Sequence, residues 1–140
     1  MPGISQPSVT AVRTGRQVDT SQRLPYFIGI SGANVGAQGL SMHLVVIPPS
    51  ARSEPHMHLG HETAIYVLQG RVQTLYGDGL TQSVVSEAGE FLFIPPDVPH
   101  VAVNLSADEP ARAIVARNHP AEQDKVQPYR LPSAPPPATD

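Results

Sequence analysis

What most restricts the fold of this chain is the way its apolar segments are punctuated. Many of the 16 prolines and 11 glycines of the 140 residues fall between short apolar runs and end them. Residues 26–30 form one run, closed by Ser31-Gly32, and residues 40–47 another, closed by Pro48-Pro49. Residues 65–68 end at Gly70. Residues 72–76 alternate and stop at Gly77-Asp78-Gly79, a hairpin signal. Residues 83–85 lead into Glu87-Ala88-Gly89, residues 91–94 end at Pro95-Pro96-Asp97, and residues 101–105 and 111–116 are the last two runs. No window carries a helical stripe, and many short strands at this spacing predict an all-β sandwich or barrel. There is no internal repeat, so a single barrel is expected over residues 23–126. Residues 1–22 read as a polar arm. Residues 127–140, with Pro128, Pro132, Pro135, Pro136 and Pro137, read as a tail unable to form a helix or a central strand.

Composition removes several kinds of chemistry. The chain has no cysteine, which excludes thiolate zinc sites, iron–sulfur clusters and cysteine nucleophiles. A net charge of -3 gives no electrostatic footprint for nucleic acid. The first ten residues lack the basic start and apolar run of a secretory signal, and residues 44–47 are far too few to span a bilayer. The expectation is a soluble, cytoplasmic protein with neither nucleic-acid nor membrane partners.

The chemistry is concentrated in the histidines. Pro55-His56-Met57-His58-Leu59-Gly60-His61-Glu62 places three imidazoles and a carboxylate within a few residues. On a strand, His56 and His58 project to one face. A tight turn and a carboxylate at the start of the next strand would complete half of a metal site. A further imidazole, His100, follows Pro95-Pro96-Asp97-Val98-Pro99, whose prolines set the direction of the turn. Imidazole nitrogen with one carboxylate suits a divalent transition metal (Fe, Mn, Ni, Zn, Co or Cu) and not Ca or Mg.

These residues carry a resemblance. Gly89-(x5)-Pro95-x-Asp97-(x2)-His100-(x3)-Asn104 resembles the second cupin motif, G(x)5PxG(x)2H(x)3N, with Asp97 in place of a glycine. Asp tolerates the left-handed turn that glycine usually supplies. His56-x-His58-(x3)-Glu62, ending at Gly70, resembles the first cupin motif, HxH(x)3,4E(x)6G. The resemblance covers residues 40–116 and implies a small single-domain cupin, a jelly-roll-like β-barrel. It also implies that His56, His58, Glu62 and His100 bind one metal and leave positions for water or substrate.

The first motif departs from the family in one respect. Seven residues separate Glu62 from Gly70 where the family has six, and its other spacing would put the ligand at Thr63, a poor metal ligand. If Ile65 and Val67 face the interior, so do Thr63 and His61, while Glu62 points out unless a bulge intervenes. Glu62 is favoured as fourth ligand on its spacing from His58, and His61 is the alternative.

Met42, Leu44, Ile65, Val67, Phe91, Phe93, Val101 and Val103 are expected to line the interior, with Tyr66 or Tyr76 at its mouth. His43 is expected to face outward, His119 to lie in a loop, and Asn104 to tie down backbone. An apolar cavity beside an open metal site suits an enzyme acting on a small organic molecule, with dioxygenase-like chemistry favoured over isomerisation or decarboxylation. The alternative is a non-catalytic cupin that binds or senses a small molecule. Open barrels leave strand edges, which predicts a homodimer.

Overall fold

The computed structural model describes residues 8–13, 17–19, 24–121 and 126–131. Its strands, in chain order, are β1 (Gln17–Asp19), β2 (Pro25–Ile30), β3 (Ser41–Ile47), β4 (His56–His58), β5 (Thr63–Gln69) and β6 (Arg71–Tyr76). They continue as β7 (Gln82–Glu87), β8 (Phe91–Ile94), β9 (His100–Asn104), β10 (Ala111–Arg117) and β11 (Val126–Pro128). One helical turn, α1 (Gly32–Val35), follows β2, and no helix among the described residues is long and apolar enough to cross a membrane.

The strands form two antiparallel sheets, in the orders β1-β2-β3-β10-β5-β8 and β11-β4-β9-β6-β7. This is the jelly-roll-like barrel that the motifs imply. The core between the sheets includes Leu24, Tyr26, Val45, Ile47, Val72, Ala113 and Val115. Strand pairing reaches past the expected barrel limits at both ends: β1 pairs with β2, and β11 lies on an edge beside β4 with Pro128 opposite His56. Proline without an N–H is tolerated on such an edge. Residues 1–7, 14–16 and 20–22 of the expected arm and 132–140 of the expected tail lie outside the described residues.

The Gly77-Asp78-Gly79 signal turns the chain from β6 into β7, as a 3-10 turn over Asp78–Leu80 with Tyr76 paired to Gln82. Asp97 has φ 65°, the left-handed conformation expected of it, and its Oδ1 accepts from the Gly60 N–H at 2.9 Å. The Asp97 N–H in turn donates to the His58 carbonyl at 3.0 Å. The residue that replaces the family's glycine therefore clamps the turn after His58 to the loop before His100.

Several assignments of face are reversed. On β3, His43, Val45 and Ile47 are buried while Met42 is exposed and Leu44 half-buried. His43 is thus an inward residue; its Nδ1 accepts from the Gly29 N–H at 3.1 Å, beside the irregularity where β2 pairs with β3. On β8, Phe91 and Phe93 are 81% and 57% exposed, and Leu92 and Ile94 turn inward instead. On β9, His100 and Ala102 line the interior, which puts Val101 and Val103 on the other face. On β3 and β8 both parities carry apolar side chains, so strand composition alone does not mark the inner face, and on β9 the valines take the parity opposite His100.

Candidate metal centre and cavity

His56 and His58 occupy the two ends of β4, share its inner face and are buried. His100 opens β9 directly opposite His56 in register. The three rings meet edge-on or stacked, with centroids 4.3 to 5.5 Å apart. Their ligating nitrogens all lie within 4.8 Å of one another. The Nδ1 of His56 is 2.6 Å from the Glu54 carbonyl, and that of His100 is 3.0 Å from the Val98 carbonyl. A carbonyl can only accept, so Nδ1 carries the proton in both rings and Nε2 keeps its lone pair. Metal-binding imidazoles are commonly oriented by such a bond. Burial, aided by the neighbouring His100, pushes His56 down to about 3. Burial pushes His100 down to about 4, against its bond to the Val98 carbonyl. Both rings are therefore neutral at neutral pH, the form a metal needs.

The structure brings His56, His58 and His100 together and leaves Glu62 and His61 outside the cluster. Glu62 is exposed, and its backbone N–H donates to Asn118 Oδ1 at 2.8 Å. His61 sits before β5 begins, its ring edge-on to His119 with centroids 4.4 Å apart. β5 pairs in unbroken register with β8 over Thr63–Tyr66, and its one irregularity against β10 lies at the far end, between Val67 and Gln69, away from Glu62. The inward parity falls on Thr63, which is 1% exposed, and on Val67.

Sequence reasoning missed Arg117. It ends β10 opposite Thr63 and is buried inside the barrel. Its Nε donates to Thr63 Oγ1 at 3.2 Å, and its Nη2 donates to Tyr26 Oη at 3.2 Å and to His58 Nε2 at 3.1 Å. A signal was present in the inward positions of β10, where Ala111, Ala113 and Val115 are followed by a single charge. Where the family's spacing would admit a ligating carboxylate, this chain has a threonine hydrogen-bonded to a guanidinium.

The cluster opens on an internal cavity of about 60 Å³, space for a few water-sized atoms. Its walls are mostly aliphatic, among them Val45, Ile47, Ile65, Val67, Leu92 and Val115. A wider recess of about 360 Å³ shares His100, Thr74 and Leu92 with the cavity and is edged by Tyr76, Val84 and Phe93. Tyr76 thus stands at the mouth. Tyr66 does not; its ring packs against the exposed Phe91, with centroids 4.7 Å apart.

The three imidazoles suit a borderline transition metal by donor type, and His56 and His100 suit it also by tautomer and charge state. His56, His58 and His100 could hold such an ion. An ion bound through His58 Nε2 would displace the hydrogen bond that Arg117 makes to that nitrogen.

No curated protein matches the chain. Among solved structures, it is similar to a mutant oxalate decarboxylase from Bacillus subtilis, with a TM-score of 0.68 and 17% identity over 81% of this chain and 30% of that one. It is similar also to the formate complex of the Lactobacillus farciminis oxalate decarboxylase, with a TM-score of 0.65 and 22% identity over 76% of this chain and 31% of that one. The chain therefore spans about a third of the length of these enzymes, and the likeness is one of fold. The sequence profile described as "Cupin domain" matches residues 43–117, more than half of the chain. This protein belongs to the cupin family.

Proposed function

We propose that this cupin is a metal-dependent enzyme acting on a small organic molecule, with His56, His58 and His100 as the protein ligands. The observation that carries the reading is the gathering of three buried imidazoles, two of them tethered by backbone carbonyls, at the head of an aliphatic cavity. His56, His58 and His100 would hold a divalent metal there, which would supply Lewis acidity toward a bound organic substrate. The protein's own residues orient the imidazoles, shield the cavity from bulk water and offer hydroxyl groups from Thr63 and Tyr26. Among the described residues, the cavity lining includes no carboxylate and no lysine to take a proton from carbon. This favours dioxygenase-like chemistry over isomerisation.

A second reading, a metal-free barrel that binds a small molecule without converting it, is favoured by the Arg117 bond to His58 Nε2, which engages the lone pair a metal requires. Elemental mass spectrometry of protein purified without added metal separates the two. The expected result is close to one equivalent of a transition metal, falling at least about tenfold in His100→Ala. Less than about a tenth of an equivalent, with no uptake on adding Fe, Mn, Ni or Zn, would falsify the enzyme reading.

We also propose a homodimer. β8 is a sheet edge that carries the exposed Phe91 and Phe93, and a second copy would cover both the edge and its apolar side chains. Light scattering on the eluted protein is expected to give twice the chain mass, and a mass of 14.9 kDa overturns the dimer.

A further inference from the structure

We propose that Arg117 recognises the ligand of this barrel, and that the ligand is a small organic carboxylate with an apolar body, its anionic end lying between the guanidinium and the three histidines. The inference rests on the reading of this cavity as the substrate site, and it names the substrate class.

A guanidinium is always charged, and a buried charge is ordinarily paired. Arg117 is 9% exposed, yet none of its partners among the described residues is a carboxylate. Those partners are two hydroxyl oxygens and an imidazole nitrogen, all neutral acceptors. Nη1, with two further N–H donors, makes no bond among the described residues. The barrel has thus brought a cation to the cavity wall and fixed its plane through Thr63 and Tyr26, and no carboxylate among the described residues pairs with it. An anion entering the cavity would supply the compensation, and a carboxylate matches the planar fork of the guanidinium.

A second feature marks the cavity as a place for a ligand and not plain core. Ser86, on the wall formed by the other sheet, is 4% exposed, and its Oγ has no hydrogen-bond partner among the described residues. A buried hydroxyl without a partner is costly in a protein interior. The cavity that Ser86 lines is the place from which a partner can come.

The walls limit the rest of the ligand. Val45, Ile47, Ile65, Val67, Leu92 and Val115 offer only van der Waals contact, which suits a short aliphatic body. One guanidinium with no lysine in the lining suits a single carboxylate better than a phosphate or a dicarboxylate such as oxalate. The arginine's position also gives it two functions at once. Bonded to His58 Nε2, it engages the lone pair that a metal would use; drawn onto an anion, it would free that nitrogen.

The test is calorimetric titration of the full chain, both stripped of metal with a chelator and loaded with manganese. The probes are isobutyrate, its neutral isostere isobutyramide, and oxalate. In the stripped protein, isobutyrate is expected to bind at least about tenfold more tightly than isobutyramide, and more tightly than oxalate. Arg117→Met is expected to lose that preference for the anion, while Arg117→Lys, which keeps the charge but not the fork, keeps part of it. Equal binding of isobutyrate and isobutyramide by the parent protein overturns the proposal, whether or not the variants fold. So does an undiminished preference in Arg117→Met, and tighter binding of oxalate overturns the single-carboxylate assignment. Failure here is distinct from failure of the enzyme reading. A protein that takes up no metal but prefers isobutyrate through Arg117 loses only the enzyme reading. One that holds metal and shows no preference loses only this inference.

Discussion

Arg117→Met is expected to bind a divalent metal about a hundredfold more tightly than the parent protein. Any ion that takes His58 Nε2 comes within a few ångströms of the guanidinium that now donates to that nitrogen across 3.1 Å. Two unit charges 4 Å apart repel by about 4 kcal/mol at an effective dielectric constant of about 20, and a dication doubles that. Even a third of the total, about 2.7 kcal/mol, amounts to about a hundredfold in affinity. Methionine keeps an unbranched apolar chain of similar reach, so the packing of the stem is largely conserved. Competition with a chromophoric chelator for zinc or manganese measures the effect. Weaker metal binding by the variant would mean that Arg117 supports the metal site instead of opposing it. The same repulsion predicts a coupling: a carboxylate that neutralises Arg117 strengthens metal binding, and the metal strengthens carboxylate binding by the same factor.

Asn104→Ala is expected to cost about 3 to 4 kcal/mol of folding stability and to lower the melting temperature by about 10 °C. Asn104 is 4% exposed at the end of β9. Its amide nitrogen donates to the carbonyls of Ile47, Pro48 and Glu109 at 3.0, 3.2 and 2.8 Å, and its Oδ1 accepts from the Ser106 N–H at 2.9 Å. One side chain thus replaces the ladder bonds that three irregular backbone segments would otherwise lack. Removing it leaves one buried and three partly buried backbone groups without that partner. Asn104→Asp, nearly identical in shape, turns an oxygen toward the same three carbonyls and is expected to be at least as damaging. Urea unfolding followed by circular dichroism provides the measurement, and a loss below about 1 kcal/mol would show that these segments are held in other ways.

Both residues bear on how much could be read in advance. The role of Asn104 was legible because it belongs to a motif with a fixed distance to His100. Its three acceptors were not, since they come from segments up to 57 residues away in the chain. The inward pairing of His56 with His58 was legible from strand alternation alone. The inner faces of β3 and β8 were not, because Ser-Met-His-Leu-Val-Val-Ile and Phe-Leu-Phe-Ile are apolar at both parities. The exposed phenylalanines of β8 read as core because nothing local distinguishes a residue facing a cavity from one facing a partner surface or solvent.

By itself, the sequence determined most of the barrel strands and three histidines of the site. Turn residues and period-two alternation act over a few residues, so most barrel strands, the cupin motifs and the three histidines could be found without a structure. Only the tertiary structure decided what completes the site. Thr63 meets Arg117 because β5 pairs with β10 in one particular register, across 54 residues of chain, and Arg117 meets His58 because the two sheets face each other there. Register and facing are set by the packing of the whole barrel. A lone arginine at the end of an apolar strand therefore becomes the cation of a cavity only once the fold is closed around it.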